Sequence, residues 1–244
     1  MPYYQKSYYY ENISYFRPPI TPGVRALIII NIVIFVIQLF IGLLISLYNS
    51  LFGGIFFVNQ SLSYFHISYW FGFNVPMFVK GALWQPFTYL FIHSSLSHLF
   101  FNMLWLYIFG PEVEIYFTKK RFITFYLFCG VISVLVNFIP FVIRGFQPPI
   151  IGASGSIMAV LIAFAYINPE REFILFPLPI PINARGIVIL VILMNLFYGL
   201  DETQYSVLTH FAGMGIGYLY ISADYLGIIY KIKKILGLNK FDVI

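Results

Sequence analysis

The chain has 244 residues, of which 60% are hydrophobic and only 9% are charged, and its mean hydropathy is +0.85. Soluble domains carry roughly 25% charged residues, so this composition excludes an ordinary soluble domain and indicates an integral membrane protein. The formal net charge of +5 lies on the segments that flank apolar runs, where it predicts membrane topology and not nucleic-acid binding.

Six apolar segments between the charged residues have the composition of membrane-spanning helices, which need about 20 residues each. The second begins near Ser94, because a cluster of histidine and serine at 93–97 suits a helix N-terminus. The fifth is short. The chain is therefore predicted to be an all-α membrane protein with six transmembrane helices, at 26–48, 95–116, 122–143, 152–168, 184–200 and 204–225.

The basic residues predict the orientation of these helices. With six spans, every lysine and arginine except Lys80 and Arg144 falls on the same side as the two termini. Cytoplasmic loops carry the excess of basic residues, so both termini are predicted to be cytoplasmic. We expect a tail at 1–23, a membrane domain at 24–226 and a basic tail at 227–244. Short tails without a cleavable signal peptide suggest a prokaryotic plasma membrane.

Two connecting segments have distinctive compositions. Residues 49–83 are rich in aromatic residues but carry a single charge, which predicts a long outer loop lying in the membrane interface between the first two helices. Three prolines at 177, 179 and 181 exclude a continuous helix, so that stretch is predicted to be a connector on the cytoplasmic side. Cys129, the only cysteine, is expected to pack in the core of the third helix.

Ser154 opens the fourth predicted helix, directly after Gly152 and Ala153. A hydroxyl at a helix N-terminus lies among unpaired backbone N–H groups and at the positive end of the helix dipole, which favours an oxyanion forming beside it. Ser154 is therefore a candidate nucleophile. The alternative is that this motif only serves packing, since Gly155, Ala159 and Ala163 form a ridge of small residues.

His210 is an ionisable residue at membrane depth, about six residues into the sixth predicted helix. Its depth matches that of Ser154 at the outer end of the fourth helix. Gly213 and Gly217 lie on the same helical face and would allow this helix to press against the small residues of the fourth. His210 is thus predicted to be the base for Ser154. A structural histidine or a proton carrier is the alternative.

His98 and Asn102 are four residues apart and so share a face of the second predicted helix. Two side-chain donors that face one point suit a developing oxyanion. Hydrogen bonds that merely join helices explain the same pair equally well.

Together these motifs resemble the rhomboid family of intramembrane serine proteases. The resemblance rests on His93, His98 and Asn102, on Gly-Ala-Ser-Gly at 152–155, and on His210 with Gly213 and Gly217, and it covers roughly residues 24–225. Trp84 and the Gly-Pro-Glu-Val-Glu stretch at 110–114 are also similar to family landmarks.

The resemblance implies a rhomboid-like bundle that cleaves single-pass membrane proteins in or near their transmembrane segments, without metal or cofactor. It implies a dyad of Ser154 and His210 with no aspartate, as Asp201 and Glu202 lie on an outer loop. Further roles implied are an oxyanion hole from His98, Asn102 and the Ser154 N–H, a cavity lined by His93, Gly152 and Met158, helix packing by Gly155, Gly213 and Gly217, and a structural acid at Glu114. Oligomeric state is left open.

Two residues depart from the family pattern. Gln85 stands where a Trp-Arg pair would place arginine, and Met158 stands where many members have a tyrosine that packs against the base. A thioether cannot hydrogen-bond like a phenol, so His210 is expected to be held less firmly.

Other classes of protein fit the sequence less well. A rhomboid-like pseudoprotease would bind membrane helices without cutting them, but such proteins usually lose the serine or the histidine. A zinc protease would need His-Glu-x-x-His, and an aspartyl protease two intramembrane aspartates; neither pattern is present. A transporter or channel predicts buried charges or inverted repeats, which we do not find.

Overall fold

The computed structural model describes residues 19–51, 67–145, 148–175, 180–199 and 206–228. The predictions for the N-terminal tail up to residue 18, for residues 52–66 of the long loop, for the prolines at 177 and 179, for Asp201 and Glu202, and for the basic tail from residue 229 lie outside these described residues. The described part is mostly helical and forms one bundle.

Helices lie in each of the six predicted segments, with two helices in the third, and two short helices lie between the first and second segments. In chain order the helices are α1 (Pro22–Leu51), α2 (Val75–Val79), α3 (Gln85–Thr88), α4 (Leu96–Phe117), α5 (Lys119–Leu135), α6 (Phe138–Arg144), α7 (Ser154–Ile167), α8 (Ala184–Gly199) and α9 (Ser206–Tyr225). Residues 67–71 are also helical, and a 3-10 turn at Tyr89–Phe91 follows α3.

The third predicted segment is not one continuous helix. It was expected to run through 122–143, whereas α5 ends at Leu135 and α6 begins at Phe138. Pro140 has no N–H to continue the helical ladder across this point. The buried Asn137 side chain also donates to the Val134 carbonyl at 2.9 Å and to the Thr209 hydroxyl at 2.7 Å. Both features favour a break here.

The proline-rich connector contains strands, so the all-α prediction is wrong in this detail. An antiparallel pair, β1 (Glu172–Leu175) and β2 (Ile180–Asn183), lies between α7 and α8. A two-stranded sheet has only edge strands, which is where proline is tolerated, and Pro181 pairs with Ile174. The ring centroids of Phe173 and Phe109 are 5.5 Å apart, and this contact attaches β1 to the bundle.

The helix α7 forms the centre of the bundle, and α9 packs closely along it. Ala159, Val160 and Ala163 of α7 are completely buried. A Cβ atom on Gly213 would lie 2.2 Å from the Gly155 carbonyl oxygen, and one on Gly217 would lie 2.6 Å from the Ala159 Cα. Only glycine therefore fits at these two positions of α9, and the contact holds α7 and α9 close together.

Two helical stretches are long and apolar enough to cross a bilayer by length and composition, Pro22–Tyr48 and Lys119–Ile143. Two further stretches, Ser154–Ile167 and Ala184–Phe197, are apolar but shorter. Side chains along α1 such as Val36, Phe40 and Leu43 are more than half exposed. An apolar exposed face of this kind suits contact with lipid. The six-span count and the orientation stay predictions.

The buried Glu114 carboxylate attaches α4 to the start of α1. It accepts hydrogen bonds from the backbone N–H groups of Gly23 at 2.8 Å and Val24 at 2.7 Å, and from the Thr21 hydroxyl. The first N–H groups of a helix have no partner within the helix, and a negative charge there is favoured by the helix dipole. Glu114 therefore caps α1 from a neighbouring helix.

We expect Glu114→Ala to lower the free energy of unfolding by about 3 kcal/mol, because it leaves buried donors unpaired. Chemical unfolding in detergent micelles measures this loss. Glu170→Ala is the control, since the Glu170–Arg185 ion pair is largely exposed and should add nothing measurable. Equal stability of the two variants would contradict the capping role of Glu114.

Gln85 attaches the segment before it to the bundle. Its side chain is completely buried, donates to the Tyr69 carbonyl at 2.9 Å, and accepts from the Asn74 N–H at 3.0 Å. The neighbouring Trp84 indole donates to the Trp70 carbonyl at 2.9 Å. The loop residues 69–74 are thus held by amide and indole hydrogen bonds at the position where the family pattern has arginine.

Candidate active site

One cavity of about 600 Å³ lies where α4, α7, α8 and α9 meet. Its walls carry apolar side chains, for example those of Phe101, Ile157 and Val191, together with eight polar residues. The polar residues on the walls are Ser94, Ser97, His98, Asn102, Ser154, Asn195, Ser206 and His210. Apolar walls with a few converging polar groups are typical of ligand sites and active sites.

Ser154 is the first residue of α7, and the glycine before it shapes the turn. Gly152 has a φ of +110°, which favours glycine, and its N–H donates to the Tyr89 carbonyl at 2.9 Å. A Cβ at this position would lie 2.7 Å from the His98 Nε2. Gly152 therefore lets the turn before Ser154 approach the α4 histidine.

His210 makes a hydrogen bond through each ring nitrogen. Its Nε2 lies 2.8 Å from the Ser154 Oγ, and its Nδ1 lies 2.6 Å from the Asn195 Oδ1. The first distance is within the normal range of nitrogen–oxygen hydrogen bonds, and the second is slightly shorter than that range. The structure thus places the serine, the histidine and an asparagine in a row that runs across α7, α9 and α8.

His98 and Asn102 face the same cavity from α4. The Ser94 hydroxyl lies 3.1 Å from the His98 Nδ1, and the His98 N–H donates to the Ser95 hydroxyl that caps this helix. The Asn102 side chain is buried, and its Nδ2 has no hydrogen-bond partner among the described residues. A buried donor without a hydrogen-bond partner costs free energy. Such a donor on a cavity wall is a candidate for binding a ligand.

His93 lies behind the cavity and not on its wall, where it was expected. The ring is completely buried and packs edge-on against His98, with 5.1 Å between ring centroids. The backbone at His93 exchanges two hydrogen bonds with the Gln38 side chain, both at 3.3 Å, which turns the ring inward. Burial and the neighbouring His98 lower the pKa of His93 to about 3, so the ring is neutral at pH 7.

The remaining predicted site residues lie beside this row. Met158 is on the cavity wall. Gly155 is buried behind Ser154, where a Cβ would lie 2.5 Å from the Ser133 hydroxyl. Among the residues that the structure describes, no group of three or more metal-binding side chains comes together.

Sequence reasoning did not select Asn195. Its signal was present, since it is a polar residue in the apolar segment predicted at 184–200, and such residues are functional candidates. Asn195 could not be distinguished from an asparagine that bonds only to its own helix. Its contact with His210 depends on how α8 packs against α9, which the sequence does not specify.

The family model of the Rhomboid domain matches residues 80–225, which is more than half of the chain. The chain belongs to the rhomboid family. Members of this family are integral membrane proteins and are normally intramembrane serine proteases. The matched residues include all of the cavity's polar side chains.

Several curated relatives of this rhomboid protein are similar to it over part of their length. Rhomboid protease GluP of Bacillus subtilis is 28% identical over 60% of this chain and 27% of the relative. Rhomboid protease GlpG of Salmonella paratyphi A is 27% identical over 61% of this chain and 51% of the relative. The human mitochondrial presenilin-associated rhomboid-like protein is 37% identical over 36% of this chain and 24% of the relative. The aligned part is thus about a quarter to a half of each relative.

Proposed function

We propose that this rhomboid protein is an intramembrane serine endopeptidase that hydrolyses a peptide bond in or near the transmembrane segment of single-pass membrane proteins. The observation that carries the proposal is the 2.8 Å contact between the Ser154 Oγ and the His210 Nε2, on the wall of the cavity. A nucleophile within hydrogen-bond reach of its base is the arrangement that acyl transfer requires.

In the proposed reaction the Ser154 oxygen attacks the substrate carbonyl carbon while the His210 Nε2 accepts the hydroxyl proton. Collapse of the tetrahedral intermediate breaks the C–N bond, and His210 returns the proton to the leaving amine. Water then attacks the acyl-enzyme, again with His210 as base, and releases the acid and the free Ser154 hydroxyl. No metal or organic cofactor takes part in these steps.

The oxyanion is proposed to be held by side chains of α4 and by the N–H of Ser154 at the start of α7. The unpaired Asn102 Nδ2 supports one such donor. If the Ser94 hydroxyl donates to the His98 Nδ1, the single N–H of the neutral ring is on Nε2, which makes His98 the second side-chain donor. The positive end of the α7 dipole adds to the same charge.

Asn102→Ala is expected to lower kcat by about 10²- to 10³-fold with little change in KM, the usual effect of losing one oxyanion donor. Steady-state cleavage of a purified single-pass substrate in detergent measures both constants. Asn168→Ala is the control, because this asparagine bonds to Glu112 and does not line the cavity. A change in KM alone would assign Asn102 to substrate binding instead.

We further propose six membrane spans with both termini in the cytoplasm, a membrane domain at 24–226, and tails at 1–23 and 227–244. The bacterial relatives support a location in a prokaryotic plasma membrane. The mitochondrial relative makes a mitochondrial membrane the alternative. The proposed partners are the lipid bilayer and a substrate helix with local helix breakers. Such breakers free the backbone carbonyls that a stable helix keeps in hydrogen bonds.

The function is tested by two measurements on the protein in liposomes. The first is cleavage of a tagged single-pass model substrate, and the second is covalent labelling by a fluorophosphonate, each with Ser154→Ala as control. We expect cleavage and labelling that both depend on Ser154. A folded wild-type protein that neither cleaves nor reacts would support a rhomboid-like protein that binds membrane helices without hydrolysing them.

A further inference from the structure

The neutral His210 ring has one N–H and one lone pair, and a base must present the lone pair to the serine. Distances alone leave open which nitrogen carries the proton. The side chain on the Nδ1 side, Asn195, decides between the two forms.

The Asn195 amide has a single orientation that satisfies its own contacts. Its Nδ2 donates to the Val191 carbonyl at 2.8 Å, one helical turn earlier in α8. A carbonyl can only accept, so the amide nitrogen must face Val191 and the amide oxygen must face His210. The Nδ1 of His210, 2.6 Å from that oxygen, therefore carries the proton, and the Nε2 lone pair is directed at Ser154.

We propose that Asn195 is the positioning residue of this active site and completes a Ser154–His210–Asn195 row. The inference rests on the proposed function, because it assigns the group that orients the proposed base. Asn195 is buried, and in such low-dielectric surroundings its hydrogen bond to the ring is electrostatically stronger than it would be in water. A third group that fixes the histidine tautomer is a general device of nucleophilic catalysis.

An amide suits this position better than a carboxylate would. A buried carboxylate must be paired in every state, and in apolar surroundings its desolvation is costly. An amide oxygen accepts the Nδ1 proton without that cost, and its dipole still favours the imidazolium that forms when Ser154 attacks.

The hydrogen bond between Asn195 and His210 also explains how the chain can have methionine at position 158, where many family members have tyrosine. The thioether lies on the cavity wall but cannot donate or accept a strong hydrogen bond that would align the ring. Asn195 supplies that alignment from α8. His210 is thus held firmly from the side of the ring opposite Ser154, contrary to the looser placement that Met158 alone suggests.

The test compares Asn195→Leu with a matched substitution elsewhere. Asn31 in α1 is also buried and also donates to the carbonyl four residues earlier, that of Leu27, at 2.8 Å, but it has no histidine beside it. Asn31→Leu therefore removes the same kind of bond and adds the same apolar side chain. We expect Asn195→Leu to lower kcat and the rate of fluorophosphonate labelling of Ser154 by about 10²-fold. Asn31→Leu should change neither rate by more than about twofold.

Asn195→Asp distinguishes the loss of the hydrogen-bond acceptor for His210 from a change in side-chain packing. It keeps an oxygen that can accept from the His210 Nδ1 but loses the donor to Val191. We expect it to restore both rates to within about tenfold of the wild type. If Asn195→Leu does not fold, Asn195→Ala removes the same acceptor with a smaller side chain and takes its place.

Two outcomes would overturn the inference. One is an Asn195→Leu protein that reacts as fast as Asn31→Leu, and the other is a slow Asn195→Leu protein that Asn195→Asp does not rescue. Failure of the proposed function is a different result, since the wild-type protein would then leave Ser154 unlabelled and the substrate intact.

Discussion

Replacing His210 with alanine is expected to lower kcat toward a membrane-embedded substrate by at least about four orders of magnitude. The Ser154 hydroxyl is a weak nucleophile unless its proton is removed as it attacks, and the His210 Nε2 is the base in contact with it. A quantitative cleavage assay in liposomes, run with enzyme in excess to detect slow turnover, measures the loss.

The double variant Ser154→Ala/His210→Ala should be no slower than either single variant, because the two side chains act as one unit. Ser156→Ala is the matched control. It lies two residues along α7, and its hydroxyl is buried and donates to the Tyr126 carbonyl at 2.7 Å, away from the cavity. A double variant whose loss equals the product of the single losses would contradict a shared reaction step.

Gly213→Ala is expected to damage both the fold and the active site. The added Cβ would lie 2.2 Å from the Gly155 carbonyl oxygen, so the backbones of α7 and α9 must separate. Overpacking of this kind costs about 3 kcal/mol of unfolding free energy. A shift of about 1 Å also separates His210 from Ser154, and we expect kcat to fall about 10²-fold.

Gly215→Ala is the control for this substitution. It is two residues further along α9, exposed, and a Cβ there meets no atom within 4 Å. Alanine is the better helix former, so this variant should be as stable as the wild type or slightly more stable. Unfolding curves and cleavage rates of the two variants test the packing. Equal curves would mean that α7 and α9 are not in close contact.

The helices and the two central residues of the site could be predicted from the sequence because they depend on local patterns. Gaps without charged residues located the long helices to within a few residues, except at the end of α5, which lies eight residues before the predicted end. Ser154 and His210 were recognisable because polar groups are rare in apolar segments, and because Gly213 and Gly217 predicted a close helix contact. Membership of the rhomboid family confirms the suspected resemblance.

Other features could not be predicted because they depend on contacts between distant segments. The break between α5 and α6 is favoured by Asn137 bonding to Thr209, which is 72 residues away. His93 faces inward because Gln38 of α1 holds its backbone. The β1–β2 pairing joins two short stretches, one of which contains Pro181, and proline content alone suggested only the absence of a helix.

In the proposed protease, the hydrogen bond between Asn195 and His210 is expected to make the catalytic rate depend on the bilayer. The helix α8 has 16 residues and is about 24 Å long, which is less than the hydrocarbon thickness of about 30 Å in a typical bilayer. A helix shorter than its bilayer is accommodated by thinning of the lipid around it, by snorkelling of flanking side chains or by oligomerisation. Because α8 carries the amide that orients the base, lipids with longer acyl chains would alter turnover without contacting any reacting atom.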